Sequence, residues 1–387
     1  MKNLLIITSR YPHPFDKTSG NYVYSQVNEL KNFFNKIVVI STTPYIPKFL
    51  SKWMSDIRKR DSLAKNYSYD NVSVYFTKNI IFPIKFLKKI RGNQEFRRIK
   101  KIIHKIKFKP DYIHAHFTWT PGYIAVRLKK EFKVPIIITI HEDHNWLLEE
   151  EKSKDNCDTW KNADVLIRVN KLDVALLKKY NNRIFNIPNG YDERKFKLVD
   201  KVRCRNSLKL PEKIPIIFSL GYLEQRKGFH DLIESVKLVK NENKDFLIVI
   251  GGSGPEKVKL ETQIAQNKLN SYIHLIGFVP ANDVPLWINA ADFFVLPSYS
   301  EGNPVVMFEV LGCGKPFLGT NVGGIPEIII NNKLGILIPP GNPPLLANAI
   351  LTALNQKWDQ EYILGYASQF TWKNIADNIL EIYKILV

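Results

Sequence analysis

Short, β-branched-rich apolar runs alternate with longer amphipathic segments along almost the whole chain, and this alternation restricts the fold more than any other feature. In the first half the runs are NLLIIT (3–8), KIVVIS (36–41), DYIHAHF (111–117), PIIITIH (135–141) and DVLIRVN (164–170). In the second half they are PIIFSLG (215–221), FLIVIGG (246–252), YIHLIGF (272–278), DFFVLP (292–297) and PFLGTN (316–321). Most are continuously apolar, as strands covered by helices on both faces must be. Strand–helix alternation on this scale predicts an α/β architecture with parallel sheets. Two such series, in a chain of 387 residues that is too long for one ordinary core, predict two Rossmann-like domains.

The boundary is expected at IPNGYDERKF (187–196), where a strand runs into Pro-Asn-Gly turn chemistry. That gives an N-terminal domain over 1–188, a second domain over 189–369 and a last helical segment over 370–387. In the last segment Thr371 suits an N-cap, and Ile375, Ile379 and Ile382 recur at helical spacing. Open α/β sheets bind ligands outside the carboxyl ends of their strands. Two such domains facing each other would enclose a cleft, so the strand-to-helix loops are where chemistry is to be sought.

Composition removes several function classes. No run approaches the ~18 uninterrupted apolar residues of a membrane span, and MKNLLIITSR reads as a first buried strand rather than a signal peptide. Cys157, Cys204 and Cys313 are odd in number and lack metal-ligand spacing, which predicts a reducing, cytoplasmic setting without disulfides or zinc. The formal net charge of +19 is unevenly spread: residues 1–188 hold 35 Lys and Arg against 17 Asp and Glu, and residues 189–387 hold 21 against 20. Such asymmetry points to an anionic partner of the first half.

The strand DFFVLP delivers the chain into EGNPVVMFE (301–309). Pro304 suits a first helical position, and the free amides of a helix start beside Gly302 suit a diphosphate. The helix that follows is apolar on every side except at Glu309. A buried carboxylate without a partner costs ~1–3 kcal/mol or more. Vicinal sugar hydroxyls would satisfy it; so would solvent or a neighbouring lysine, with Glu301 then an ordinary loop residue. In GYLEQRKGFHDL (221–232), Arg226 and Lys227 lie between a buried strand and a helix, a suitable phosphate clamp or simply two surface cations. The turn Gly251-Gly252-Ser253-Gly254 is not the GxGxxG of a dinucleotide site, and serves equally as a structural turn.

In the first half, His114 and His116 share one face near a strand's carboxyl end. Two histidines at this spacing can begin a metal site, but no third ligand has an evident place. The location favours His116 for an active-site role, and TIHEDH (139–144) ends the next strand with a second polar cluster of the same ambiguity. The long loop in 9–30 carries Ser19 and Gly20 at the opening of a helix.

These segments together resemble the family-4 retaining glycosyltransferases of the GT-B fold, the group 1 glycosyl transferases, over essentially the whole chain. EGNPVVMFEVLGCGKPFLGTNVGGIPEII is similar to their E-x7-E donor signature with the G-x-P and V-G-G-x-P-E elements. IGGSGPE resembles their nucleotide-side turn, IPNGYD their interdomain junction, and RKG their donor-phosphate lysine loop. The resemblance implies two Rossmann-like domains across a cleft, with the C-terminal helix crossing back to the first domain. It implies a nucleotide-sugar donor on the second domain, with Glu309 on its ribose. Glu301 and the backbone of Gly302, Asn303 and Val305 would meet sugar and phosphates, and Lys227 the diphosphate. Gly254 belongs to the nucleotide turn, His116 to the reaction centre, and Ser19 and Gly20 to a loop that closes on phosphate and acceptor. Transfer would retain the anomeric configuration and need neither metal nor cofactor. One departure stands out: the family's Gly-Arg-Leu is Gly221-Tyr222-Leu223 here, so Arg226 must replace the phosphate-binding arginine if anything does.

Two basic segments bear on the acceptor. PKFLSKWMSDIRKRD (47–61) places Phe49, Leu50, Trp53, Met54 and Ile57 on one helical stripe among five basic residues, as membrane-surface helices do. Residues 84–109 have eleven Lys and Arg against one Glu, where Phe96, Ile99, Ile103 and Ile106 would equally form a core stripe. The expectation is a peripheral protein at the inner face of the cell membrane, with a lipid-linked or envelope-glycan acceptor and no nucleic-acid partner. A sugar-nucleotide 2-epimerase of the same fold is the enzymatic rival, and a non-catalytic glycan-binding relative is a further alternative.

Overall fold

The structure, a computed structural model, describes residues 1–13, 19–45, 65–80, 88–240, 242 and 245–386. The segment 47–61 lies outside the described residues, so its membrane reading has no structural counterpart here. The chain divides into two compact units, Met1–Ile187 with Ile375–Val387, and Pro188–Asn374.

The first unit contains β1 (Lys2–Thr8), β2 (Phe34–Tyr45), β3 (Tyr67–Tyr69), β4 (Val72–Ile80), β5 (Tyr112–His116), β6 (Ile136–Ile140), β7 (Val165–Arg168) and β8 (Ile184–Asn186). They form one sheet in the order β3-β4-β2-β1-β5-β6-β7-β8, parallel except for the β3–β4 hairpin. The register aligns Thr8 with Ser41 and with His116, and His116 with Thr139, so these polar residues share one carboxyl edge. The interior of β5 and β6 is buried at every position, which their unbroken apolar sequence requires. The strand β4 was not anticipated, because VSVYFTKNI alternates in place of forming a continuous apolar run.

The second unit contains β9 (Ile216–Leu220), β10 (Leu247–Gly251), β11 (Ile273–Gly277), β12 (Phe293–Leu296), β13 (Phe317–Thr320) and β14 (Gly335–Ile338). All pair in parallel, in the order β11-β10-β9-β12-β13-β14. Alternate residues of each central strand enter different cores. Phe218, Phe294 and Leu296 pack on one face, and Ile217, Phe293 and Val295 on the other.

The helix Lys88–Lys105 settles one of the two basic segments where it is described. Ile99 and Ile103 are fully buried, Phe96, Ile102 and Ile106 pack beside them, and Arg97, Lys101 and Lys105 are exposed. The apolar stripe is core, and the cations form its solvated face. The last helix, Trp372–Ile385, starts behind Thr371, whose Oγ1 accepts from the Asn374 amide at 3.3 Å. Its Tyr383 hydroxyl lies 2.7 Å from His114 Nδ1, and Tyr112 donates to the Tyr383 carbonyl at 3.1 Å. Among the described residues no helix is long and apolar enough to cross a membrane.

Candidate active site

The predicted residues form two groupings, one on each unit. In the second unit β12 ends at Leu296, and the chain turns through buried Ser298 to Glu301, which is also buried. Glu301 Oε1 receives Lys227 Nζ at 2.6 Å and Ser298 Oγ at 2.7 Å. Arg226 Nη1 donates to the Ser300 carbonyl and approaches Oε2 at 3.6 Å, while Nε and Nη2 are held by Glu224. Burial alone pushes this carboxyl up. Lys227 and Arg226 outweigh burial, and Glu301 stays below the ordinary carboxylate range. Both cations of the RKG loop therefore face one carboxylate, which fixes the loop against the end of β12.

Gly228 makes that approach possible. Its φ is 68°, and a Cβ there would lie 2.0 Å from the Pro297 carbonyl oxygen. The backbone is locked further where the Tyr299 amide donates to the Arg226 carbonyl at 2.8 Å.

Pro304 is the N-cap rather than the first helical residue, and the helix runs Val305–Gly312. Among the described residues the amides of Asn303, Val305 and Val306 donate to no carbonyl, so three N–H groups point out of the helix start. The Gly302 carbonyl accepts from the Gly324 amide at 2.8 Å, which draws the V-G-G element onto the same turn. Asn303 is buried, and its side chain does something the sequence did not suggest. Its Oδ1 accepts from the Asn189 amide at 2.9 Å, and Asn189 Nδ2 donates to the Asn303 carbonyl at 2.7 Å. Gly254 abuts the backbone of Leu223, joining the glycine turn after β10 to the loop after β9.

Glu309 is half-buried on the apolar helix, and its carboxylate has no hydrogen bond or ion pair among the described residues. Burial pushes its carboxyl up to about 7, opposed only by the more distant Lys195. A direct lysine pair, one of the alternatives open at sequence level, is therefore not formed. The group is poised to accept hydrogen bonds from a ligand with adjacent donors.

In the first unit the two histidines separate in role. His114 is spent on structure, with Nδ1 on Tyr383 Oη and Nε2 2.7 Å from Thr139 Oγ1. His116, at the end of β5, places Nδ1 3.0 Å from Nε2 of His141, which follows β6. The other two ring nitrogens, His116 Nε2 and His141 Nδ1, are buried and have no hydrogen bond among the described residues. Burial pushes both imidazoles well below their ordinary range, so both are neutral near pH 7. Tyr22 covers His141 with ring centroids 4.7 Å apart. Tyr22 lies on the helix Asn21–Leu30, which Gly20 opens with φ 69°. A Cβ on Gly20 would lie 2.3 Å from the Arg10 carbonyl oxygen, so this glycine is demanded by the backbone, with Ser19 just before it. Among the described residues no cluster of three or more His, Cys, Asp or Glu suits a metal ion.

The sequence reading missed what holds this edge. Arg168, fully buried at the end of β7, donates to the Ile140 carbonyl at 2.7 Å and the Glu142 carbonyl at 2.6 Å. It pairs with Asp173, which also meets His144 Nδ1 at 2.5 Å. The strand ends that carry His141 are pinned by one guanidinium. The signal was a lone arginine in an otherwise apolar strand with an aspartate five residues on.

Residues 19–195 match the family model described as Glycosyltransferase Family 4, and residues 200–370 that described as Glycosyl transferases group 1. The TuaC glycosyltransferase of Bacillus subtilis strain 168, named for teichuronic acid biosynthesis, is 28% identical over 98% of this chain and 92% of its own. Among solved structures, sucrose-phosphate synthase from Thermosynechococcus elongatus has a TM-score of 0.80 at 19% identity, covering 100% of this chain and 99% of its own. HepE of Anabaena in complex with UDP has a TM-score of 0.75 at 18% identity, covering 100% of both chains. At these identities the solved structures establish the fold, with two parallel-sheet units of GT-B type.

The unpartnered Glu309 has a measurable consequence for stability. A carboxyl raised from 4.5 to about 7 on folding costs nothing while protonated in both states. The cost appears as pH rises through the unfolded value and is complete above the folded one. Glu309→Gln is therefore expected to raise stability by roughly 1–3 kcal/mol at pH 8 and by almost nothing at pH 4. Parallel urea titrations at the two pH values measure this, and an equal effect at both would show that Glu309 is not strained by ionisation.

Proposed function

Because the chain belongs to the group 1 glycosyltransferases, we propose that it moves a sugar from a nucleoside-diphosphate-sugar donor to a lipid-linked or envelope-glycan acceptor. In this reading the donor lies on Pro188–Asn374, and the acceptor is held by the unit that contains His116. The observation that carries it is the pairing of Lys227 with Glu301 beside the free amides of Asn303, Val305 and Val306. Cations and oriented amides gathered at the carboxyl edge of a parallel sheet suit the charge that grows on a departing diphosphate. Electrostatics of this kind need no metal, and transfer proceeds without one.

Each remaining group has a task in this scheme. Glu309 accepts from the vicinal ribose hydroxyls, which relieves the cost of its burial. Glu301 orients Lys227 and meets the donor sugar. His116, neutral, has an Nε2 without a partner among the described residues that can serve the acceptor hydroxyl. The leaving phosphate takes the acceptor's proton on the face from which it departs, so the anomeric configuration is retained. HepE in complex with UDP supports a uridine nucleotide as the first donor to try, and the naming of TuaC for teichuronic acid biosynthesis supports an envelope polymer as the acceptor. The apolar stripe and five basic residues of segment 47–61 support contact with anionic lipid at the inner face of the membrane, each cation contributing ~1 kcal/mol near such a surface.

A thermal-shift panel of nucleotide sugars tests the donor. The right donor at about 100 times its Kd stabilises by ~2.7 kcal/mol, and Glu309→Ala is expected to abolish most of that shift. Glu301→Ala is expected to slow transfer more than it weakens binding, read as kcat against KM. Absence of any shift across the panel would remove the donor assignment. A donor whose sugar changes configuration with no acceptor present would establish the epimerase instead.

Arg226 is proposed to serve where the family's arginine gives way to Tyr222, whose side chain is 54% exposed. Lys227→Ala is expected to lower kcat by about 10²–10³, in the range of a lost oxyanion contact, and Arg226→Ala by a smaller but clear factor. Full turnover in Arg226→Ala alongside the loss in Lys227→Ala would show that nothing replaces the missing arginine. Flotation with liposomes is expected to recover the protein with anionic vesicles and not with neutral ones, and failure with both would discard the membrane contact.

A further inference from the structure

Lys315 sits in the turn between the helix Val305–Gly312 and β13, at the amino end of that strand. Glu301 and Lys227 stand at the carboxyl edge of the same sheet, so Lys315 lies on the opposite edge. It is 6% exposed, and its ammonium has no hydrogen bond or ion pair among the described residues. The carboxylate closest in charge, Asp292, is already committed. It accepts from Lys201 at 2.8 Å, from Arg205 at 2.7 Å and from the Ile216 amide at 2.7 Å. Arg205 is itself spent on the carbonyls of Ala290, Glu212 and Ile214.

Lys315 borders a cavity of about 470 Å³ that is also lined by Asp200, Lys201, Trp358, Pro316 and Gln360. The Asp200 carboxylate caps its own helix through the Arg203 amide at 2.7 Å. The lining holds two cations, Lys201 and Lys315, and two carboxylates, Asp200 and Asp292, and both carboxylates are already taken by other donors, which leaves the Lys315 ammonium as the group in need of a partner. Burial pushes the Lys315 amine down to about 8, with Asp292 opposing and Lys201 and Arg205 reinforcing the shift. The neighbouring Cys313 thiol is pushed up to about 12 and stays neutral. At pH 7 Lys315 is still mostly charged, and a nearly buried ammonium facing a cavity without an acceptor is half of a binding site.

We propose that Lys315 heads a second site in this cavity, separate from the donor residues, for a small oxyanion. The ligand presents a phosphate or carboxylate group to the ammonium, and its apolar part lies against Trp358 and Pro316. The Lys315 amide donates to the Val310 carbonyl at 3.1 Å, so an occupied site touches the end of the helix that carries Glu309.

Calorimetric titration of the full chain tests this, with inorganic phosphate in one arm and acetate in the other. Lys227→Met is the background, because it weakens anion binding at the donor residues. One binding event is expected at pH 7, at least tenfold weaker in Lys227→Met/Lys315→Met. The arm that responds identifies the headgroup. A second measurement leaves Lys315 in place: affinity for the responding anion should fall about tenfold for each pH unit above 8, as the amine loses its proton. Phosphate itself changes only from mono- to dianion near pH 7, so its affinity should still fall above 8. Absence of binding in both arms, equal binding in the double variant, or affinity unchanged from pH 7 to 9.5 would each overturn the proposal.

Discussion

The second unit depends on one buried ion pair. Lys227 and Glu301 come from loops that follow β9 and β12, and their 2.6 Å contact joins the side chains of these two loops at the carboxyl edge. Removing one partner of a buried pair typically costs ~3–5 kcal/mol, because the other is left charged and unsolvated. The backbone is built to keep this pair together. Gly228 fits under the Pro297 carbonyl, Tyr299 is tied to Arg226, and Thr320 Oγ1 at the end of β13 donates to the Ser298 carbonyl. A loop edge held this firmly can present Lys227 and the helix-start amides to a diphosphate with little reorganisation when charge develops.

The first unit solves the same problem differently. Its carboxyl edge carries neutral imidazoles rather than an ion pair, and fixes them from beneath through the Arg168 guanidinium and from the side through Tyr383. His116 is buried and His141 half-buried, neither with a carboxylate partner among the described residues, so their uncharged state near pH 7 follows from desolvation first. A neutral pair can donate from one ring and accept on the other, whereas a charged ring would repel any developing positive character at a sugar carbon. One edge thus gathers charged side chains, and the other carries uncharged hydrogen-bonding groups.

Much of this was legible in sequence, for reasons that also mark where reading stops. Strands buried on both faces, such as β1, β6, β10 and β12, announce themselves by unbroken apolar runs. The edge-side β4 alternates and the edge strand β14 is only partly buried, and neither stood out. Glu309 was legible because a carboxylate within VVMFEVL has no local partner to explain it. The Asn303–Asn189 strap was not, since its halves are 114 positions apart. The two histidines of β5 looked alike until β6 and the last helix supplied Thr139 and Tyr383 to one and His141 to the other. Charge was the least specific guide: the basic run around Phe96 and Ile103 proved to be the outer face of a core helix.

The two glutamates of EGNPVVMFE show why spacing alone stops short of chemistry. They are the same side chain, eight residues apart, and both lose solvent. Glu301 meets Lys227, Arg226 and Ser298 and stays below the ordinary carboxylate range, whereas Glu309 meets no partner and rises to about 7. Environments that push paired carboxyls apart assign them different work. Glu301 is ionised and satisfied, so it suits a fixed role in holding Lys227. Glu309 is unsatisfied, so what it gains on binding is large, and a ligand that brings two hydroxyls to it recovers the cost of its burial. The helix that begins at Val305 thus offers free amides at one end and, about one turn along, an acceptor awaiting donors.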